Sequence, residues 1–213
     1  GLEMEVDPLG GSTPVAFDPG VTGAIERIEG AFKSDSRLGG VSTGLADLDR
    51  VLGGLQRSDL VILAGRPSMG KTSLAMNIVE HVALKEGLPV GVFSLEMTAD
   101  ALVMRMLCSL ARINLRDMRE GFLQNRDFPR IVDASGKLSQ SGLHIDDSGG
   151  LSILQLRARA RRMWQQHGIK LFVIDYMQLL HSTSRRARDN RQQEISEISG
   201  GIKALAKELK DRK

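Results

Sequence analysis

The chain has 213 residues, 41% of them hydrophobic and 26% charged, with a net charge of +3. That is the composition of one substantial globular domain with room for an appended arm. No apolar run approaches the roughly eighteen residues that cross a bilayer, the N-terminus lacks the basic-then-apolar order of a secretory signal, and a lone Cys108 excludes an intrachain disulfide. These features fit a cytoplasmic protein with no membrane partner. The charge is uneven: residues 1–30 carry six acids against Arg27, whereas residues 181–213 carry nine Lys and Arg against five acids. A basic tail of this kind suits a polyanion, and equally a solvated helix face.

Residues 1–20, rich in Gly, Pro and acids, predict a flexible acidic arm. From Val21 to Lys33 the apolar residues Ala24, Ile25, Ile28 and Phe32 fall at helical spacing, so 21–40 is predicted as a helix and its connection, with an apolar face in need of a partner. The remaining chain, 41–213, alternates strands and helices. Leu60–Ala64 is an apolar run predicted as a buried strand, followed by a glycine-rich loop and a helix over 71–85. A second buried strand is expected at Pro89–Leu95, a helix at 99–112, and helical segments over 115–140. Within the first of these helices, Cys108 sits in an apolar run and is expected to be a buried structural thiol. A short strand follows at Leu143–Asp146, then a helix over 151–167 whose Arg157, Arg159, Arg161 and Arg162 are expected on its solvent face. Lys170–Asp175 is a third strand, and Ile195, Ile198, Ile202, Leu205 and Leu209 mark one face of a terminal helix. Such alternation predicts an α/β fold with a mostly parallel sheet flanked by helices.

Gly65, Arg66, Pro67, Ser68, Met69, Gly70, Lys71 and Thr72 spell GRPSMGKT, a full match to the P-loop pattern, placed between an apolar run and an amphipathic helix. The spacing has a physical reason. Backbone N–H groups must converge on phosphate oxygens, which requires turns that only glycine takes easily, and the helix behind adds the positive end of its dipole. Lys71 brings a mobile charge to the β- and γ-phosphates, and the Thr72 hydroxyl is a Mg²⁺ ligand. The expected ligand is therefore ATP, or another NTP, with Mg²⁺.

Two carboxylates are candidates to complete the site. Asp175 ends the run LFVID at the carboxyl edge of a strand, where open α/β sheets bind ligands, and is the candidate metal-holding acid, with a helix N-cap as the plainer role. Glu96 ends VGVFSLE on the same edge; it either polarises the attacking water or caps the helix that begins near Thr98. The segment His181–Arg191 holds Arg185, Arg186, Arg188 and Arg191 against one acid. It suits contacts to a phosphate backbone, without aromatics for base stacking, and from composition alone suits a solvated loop equally.

Taken together, GVSTGLADLD at 40–49, LAGRPSMGKT at 63–72, FSLEM at 93–97, VMRMLC at 103–108, IDYMQLL at 174–180 and DNRQQEISEIS at 189–199 resemble the C-terminal motor domain of a DnaB-type replicative DNA helicase, within the RecA-like ATPases. The likeness covers roughly residues 21–209. It implies a RecA-like fold and a homo-oligomer, a hexameric ring, that hydrolyses nucleotide at subunit interfaces and translocates on single-stranded DNA beside other replication proteins. It implies Glu96 as catalytic base, Lys71 and Thr72 as phosphate and Mg²⁺ contacts, and Asp175 as the metal-coordinating acid. Arg105 matches a family arginine near the γ-phosphate, Gln178 a position linking nucleotide state to the basic loop, and 185–191 the channel-lining DNA contacts. The 21–33 helix resembles the linker helix that docks on the adjacent subunit. The chain departs from the family in lacking the domain before the linker, in having Gly200 where a basic residue is usual, and in stopping at Lys213 before further core strands and an arginine finger; the resemblance therefore implies a chain incomplete at its C-terminus. Rival expectations are a P-loop small-molecule kinase, another RecA-like ATPase, and an ATP-binding assembly module without turnover of its own.

Overall fold

Three apolar runs become three parallel strands: β1 (Val90–Ser94), β2 (Leu143–Asp146) and β3 (Leu171–Asp175), in the order β2-β1-β3. The computed structural model describes residues 39–66, 68–182 and 190–209, and the described residues from Gly40 onward form one compact unit. The proposed arm (1–20) and linker helix (21–33) lie outside the described residues.

β1 is the central strand and is buried along its whole length. Its near-continuous apolar sequence has a simple cause, since a parallel strand covered on both faces has no solvent side to make polar. Val90 and Val92 face Met76, Val79 and Val82 of the helix α2 (Lys71–Leu84) and Leu102 and Met106 of α3 (Ala99–Ala111). Phe93 points the other way, among Leu156 and Ala160 of α6 (Ile153–His167) and Ile198, Ile202 and Leu205 of α7 (Arg191–Glu208). Between α3 and β2 lie the shorter α4 (Leu115–Glu120) and α5 (Asp127–Ser139). Gly91 is opposite Phe172 in the β1–β3 register, and a Cβ there would stand 2.6 Å from the Phe172 ring. The absent side chain is what lets that ring lie across the strand.

The connections enforce this arrangement. Thr98 caps α3, Ser152 and Gln155 form a full capping box on α6, and Asn190 caps α7 through the Gln192 amide. Each cap satisfies a backbone donor that a helix start would otherwise leave orphaned. Residues 42–49 are folded back on themselves by Asp49 of α1 (Ala46–Leu52): one carboxylate oxygen accepts from the Thr43 amide and hydroxyl, at 2.8 and 2.7 Å, and the other from the Ser42 hydroxyl at 2.7 Å. Ser42 also lies 3.2 Å from His81 of α2. Burial pushes the Asp49 carboxyl up, but these hydrogen bonds outweigh it and hold it below the ordinary aspartate range.

Two expectations are corrected. Leu60–Ala64 is not a buried strand: it joins no ladder among the described residues, and Val61, Ile62 and Leu63 are 56%, 60% and 45% exposed. Composition makes a run strand-like, but a strand exists only against a partner. The β3 edge away from β1 carries no such pairing among the described residues. Nor is the arginine row of α6 wholly a free solvent face: Arg162 is exposed as expected, but the other three have acid partners. Arg157 and Arg161 both bond Glu208 of α7, and Arg159 holds Asp146 and Ser148 at the end of β2. Only a tertiary partner decides this, and these acids are remote in sequence. Cys108 is buried as expected, 4% exposed, with burial pushing its thiol up and Arg119 opposing.

Candidate functional site

The carboxyl ends of β1 and β3 lie side by side, because Ser94 is in register with Asp175 and the Leu95 amide donates to the Asp175 carbonyl at 2.8 Å. Glu96 therefore emerges two residues beyond β1 on the same edge. It is exposed, and among the described residues its carboxylate has no hydrogen-bond partner. The first turn of α3 is capped by Thr98, and the Ala99 amide by Asp147, so the capping role open to Glu96 is filled by others.

The phosphate loop turns through residues with left-handed backbone: Ser68 at φ 63° and Gly70 at φ 84°. A Cβ on Gly70 would meet nothing within 4 Å, so glycine is needed there for its conformation and not for space. Gly65, Arg66, Ser68, Met69 and Gly70 are all exposed, and Pro67 lies outside the described residues. Lys71 is the first residue of α2, and its ammonium stands 5.7 Å from the centre of the Tyr176 ring. The next residue makes the contact that joins loop to sheet: the Thr72 hydroxyl donates to Asp175 Oδ2 at 2.8 Å. A hard cation with an oxygen shell needs a neutral oxygen ligand and a carboxylate at this separation, so the donor set fits Mg²⁺.

Arg105, on α3, reaches the same neighbourhood. It lines, with Thr72, Ser73, Asn77, Glu80 and Arg112, a groove of about 430 Å³ between α2 and α3. Burial pushes the Glu80 carboxyl up, against the opposing Ser109 hydroxyl and Lys85. Another groove, beside Asp146 and Arg159, contains none of the predicted site residues.

Arg185, Arg186 and Arg188 lie outside the described residues. Arg191 begins α7, and its guanidinium donates to Glu194 at 2.6 Å and to the Gln178 carbonyl at 2.8 Å. Gln178 itself is exposed, in a short 3₁₀ turn (Met177–Leu179) that follows Asp175 closely. Glu194, 6% exposed, is a functional candidate that composition alone did not single out. A buried acid on the apolar side of a helix was the available signal, since it sits one turn before Ile198.

The comparisons with known proteins agree with this geometry. Residues 40–211 match the DnaB-like helicase C terminal domain model. The chain is 47% identical over 184 residues to the replicative DNA helicase DnaB of Geobacillus stearothermophilus, and 46% identical over 184 residues to the replicative DNA helicase DnaC of Bacillus subtilis (strain 168). Each alignment covers 86% of this chain and 40% of the relative, so the chain spans well under half the length of those proteins. Among solved structures, the ATPase domain of G40P superposes with a TM-score of 0.82 at 31% identity, covering 91% of this chain and 68% of that one. A DnaB-like replicative helicase solved for its interactions with primase gives 0.81 at 31% identity, covering 91% and 47%. With the phosphate loop, the paired strand ends and 172 matched residues in agreement, the chain belongs to the DnaB-like helicase C-terminal domain family.

Proposed function

We propose that this chain is the nucleotide-hydrolysing motor part of a replicative DNA helicase, binding ATP with Mg²⁺ and moving on single-stranded DNA within a hexameric ring. The observation that carries the reading is the 2.8 Å bond between Thr72 and Asp175. It brings the end of the phosphate loop and the end of β3 together at the carboxyl edge of the sheet, where this fold class binds its ligands. The loop amides and Lys71 hold the β- and γ-phosphates, and the groove containing Arg105 leaves room beside Thr72 for the remainder of the nucleotide. Thr72 and Asp175 would hold Mg²⁺, which would supply charge neutralisation at the phosphate oxygens. Glu96, exposed and unpartnered among the described residues, accepts the proton of a water attacking the γ-phosphorus as the bond to the ADP oxygen breaks. Arg185, Arg186 and Arg188 contact the DNA backbone, and replication proteins such as a primase are the partners that a structural neighbour suggests. The lone cysteine and the lack of any membrane-spanning helix among the described residues suit work in the cytoplasm.

One observation favours a second reading, nucleotide binding without turnover by this chain alone: among the described residues, the run that leads into the phosphate loop makes no sheet pairing. Glu96→Gln separates the two. In the complete protein the variant keeps nucleotide affinity within about threefold and loses about 10²–10⁴ in turnover. Near-normal phosphate release would remove Glu96 from the role, and absence of DNA-stimulated release from residues 1–213 alone, with nucleotide affinity intact, would favour the second reading.

A further inference from the structure

The phosphate loop, Glu96 and Asp175 leave unused a polar network at the start of α7, in which Glu194 and Ser182 are buried and Arg191 and Gln178 reach the surface. Its centre is Glu194, a carboxylate 6% exposed near the start of α7. One oxygen accepts from the Ser182 amide at 3.2 Å and the other from Arg191 at 2.6 Å. Arg191 uses a second nitrogen to hold the Gln178 carbonyl at 2.8 Å. The Ser182 hydroxyl donates to Glu197, one turn further along α7, at 2.8 Å. Ser182 is buried and its predecessor is tied down as well, since the His181 amide donates to Leu151 and its carbonyl accepts from Ile153. The network therefore fixes three places in the chain to one another: the turn just after Asp175, the residue entering the basic segment 183–189, and the helix start that leaves it. The Ser182 amide and the Arg191 guanidinium hold the Glu194 carboxyl below the ordinary glutamate range, so it is ionised at neutral pH.

We propose that Arg191 is a positioning residue rather than a DNA contact. With Glu194 it forms a strut linking the carbonyl of Gln178, three residues past the Asp175 carboxylate, to both ends of the basic segment, and so couples occupancy of the nucleotide site to DNA binding. This rests on the function proposed above. The physical basis is the guanidinium's shape. Its planar fork serves two acceptors in fixed directions, one a buried carboxylate and one a backbone carbonyl; a lysine ammonium keeps the charge and loses the fork. A displacement of the turn after Asp175 is then passed through two short hydrogen bonds to Glu194 in the first turn of α7, and through a third, at 3.2 Å, to Ser182. The coupling claim is physical only if both ends bias the same element, and the experiment is built on that.

The measurement is the ratio of hydrolysis with single-stranded DNA to hydrolysis without it, in the complete protein, for Arg191→Lys, Glu194→Gln and the double variant. A strut predicts that each single change lowers the ratio about tenfold, and that the double variant is no worse than either, because both break the same link. It also predicts an unchanged salt dependence of DNA binding in Arg191→Gln. A direct phosphate contact predicts otherwise: Arg191→Lys would retain the ratio, Arg191→Gln would reduce the log–log salt slope by about 0.7, and Glu194→Gln would tighten DNA binding by removing a nearby negative charge. Any of these three results overturns the proposal. If Arg191→Lys does not fold, Glu194→Asp, one methylene shorter with its charge intact, supplies the milder break; a full ratio in that folded variant, with normal exchange of the Ser182 amide against deuterium, also overturns it. Neutralising Arg185, Arg186 and Arg188 together tests the DNA reading separately. An unchanged slope there refutes the contacts assigned to those residues, whereas the strut stands or falls on the Arg191 and Glu194 variants.

Discussion

The two sides of the nucleotide site are held by different means. On one side, β1 and β3 share a ladder from Val90 with Leu171 to Ser94 with Asp175, and Phe93 beneath it is fully buried, its ring 6.0 Å from that of Phe172. On the other side, the segment entering the phosphate loop makes no ladder and exposes Val61, Ile62 and Leu63. Its downstream end is located by α2, which packs Met76, Val79 and Val82 into the core, and by the Thr72–Asp175 bond. Its upstream end is held by Lys203 of α7, which bonds the Ser58 carbonyl at 2.8 Å. The carboxylates are thus set by a sheet, and the phosphate loop by a helix and a few polar contacts. The better-packed side is the one that carries Glu96 and Asp175, and under the function proposed above these are the two groups whose placement matters most.

The comparison can be broken first at its strong side. Phe93→Ala should destabilise the fold by about 3–5 kcal/mol, the range for deleting a fully buried aromatic ring, as measured by urea unfolding with phosphate release followed in parallel. A loss under about 1 kcal/mol would show that the β1 core is not what holds the strand ends.

The folded-back segment 42–49 gives a smaller, pH-dependent effect. The folded-state carboxyl of Asp49 titrates below its unfolded value, so its stabilising contribution is present above the unfolded pKa of about 3.9 and is lost as pH falls through the folded value. Asp49→Asn should therefore be less stable than the parent protein at pH 7. The gap in melting temperature should shrink as the pH is taken below about 4, and a gap that stays constant over that range would remove the carboxylate from that role.

Smallest of all should be Ile62→Ser. At 60% exposure and without a ladder, this site is expected to change the stability of the described fold by no more than about 0.5 kcal/mol. A cost above about 1.5 kcal/mol, seen in the same unfolding experiment, would show that the run is covered by something outside the described residues. Nucleotide affinity measured on the same variant then tells whether that cover matters to the phosphate loop.

Much of the fold was legible because its signals are local. VGVFS, LHID and LFVID are short apolar runs bounded by Gly, Pro or charge, and each became a strand within a residue of its expected limits. The terminal helix followed from its spacing, with Ile198, Ile202 and Leu205 buried as the pattern required. For the site, GRPSMGKT gave the loop, and the acid ending LFVID gave Asp175, whose bond to Thr72 joins residues far apart in the sequence. What local pattern could not give were the partners. Leu60–Ala64 has strand composition, yet pairing is a property of two segments. Arg157 and Arg161 looked like a solvent face because Glu208, which accepts from both, lies at the other end of another helix. The bond from Arg191 to the Gln178 carbonyl could not be read from the sequence either, because a backbone carbonyl as acceptor leaves no trace in residue identity.

The central position of β1 has a consequence for synthesis. Its neighbours come late: Val90 pairs with Leu143 and then with Leu171. At about 5–20 residues per second, the ribosome takes roughly 4–16 s to deliver β3 after β1 has been made. Throughout that interval an apolar strand destined for complete burial has at least one unpaired edge, and pairings over such sequence distances form slowly in any case. The nascent chain must therefore pass through a stage in which its most deeply buried strand is open to chaperones and to other copies of itself.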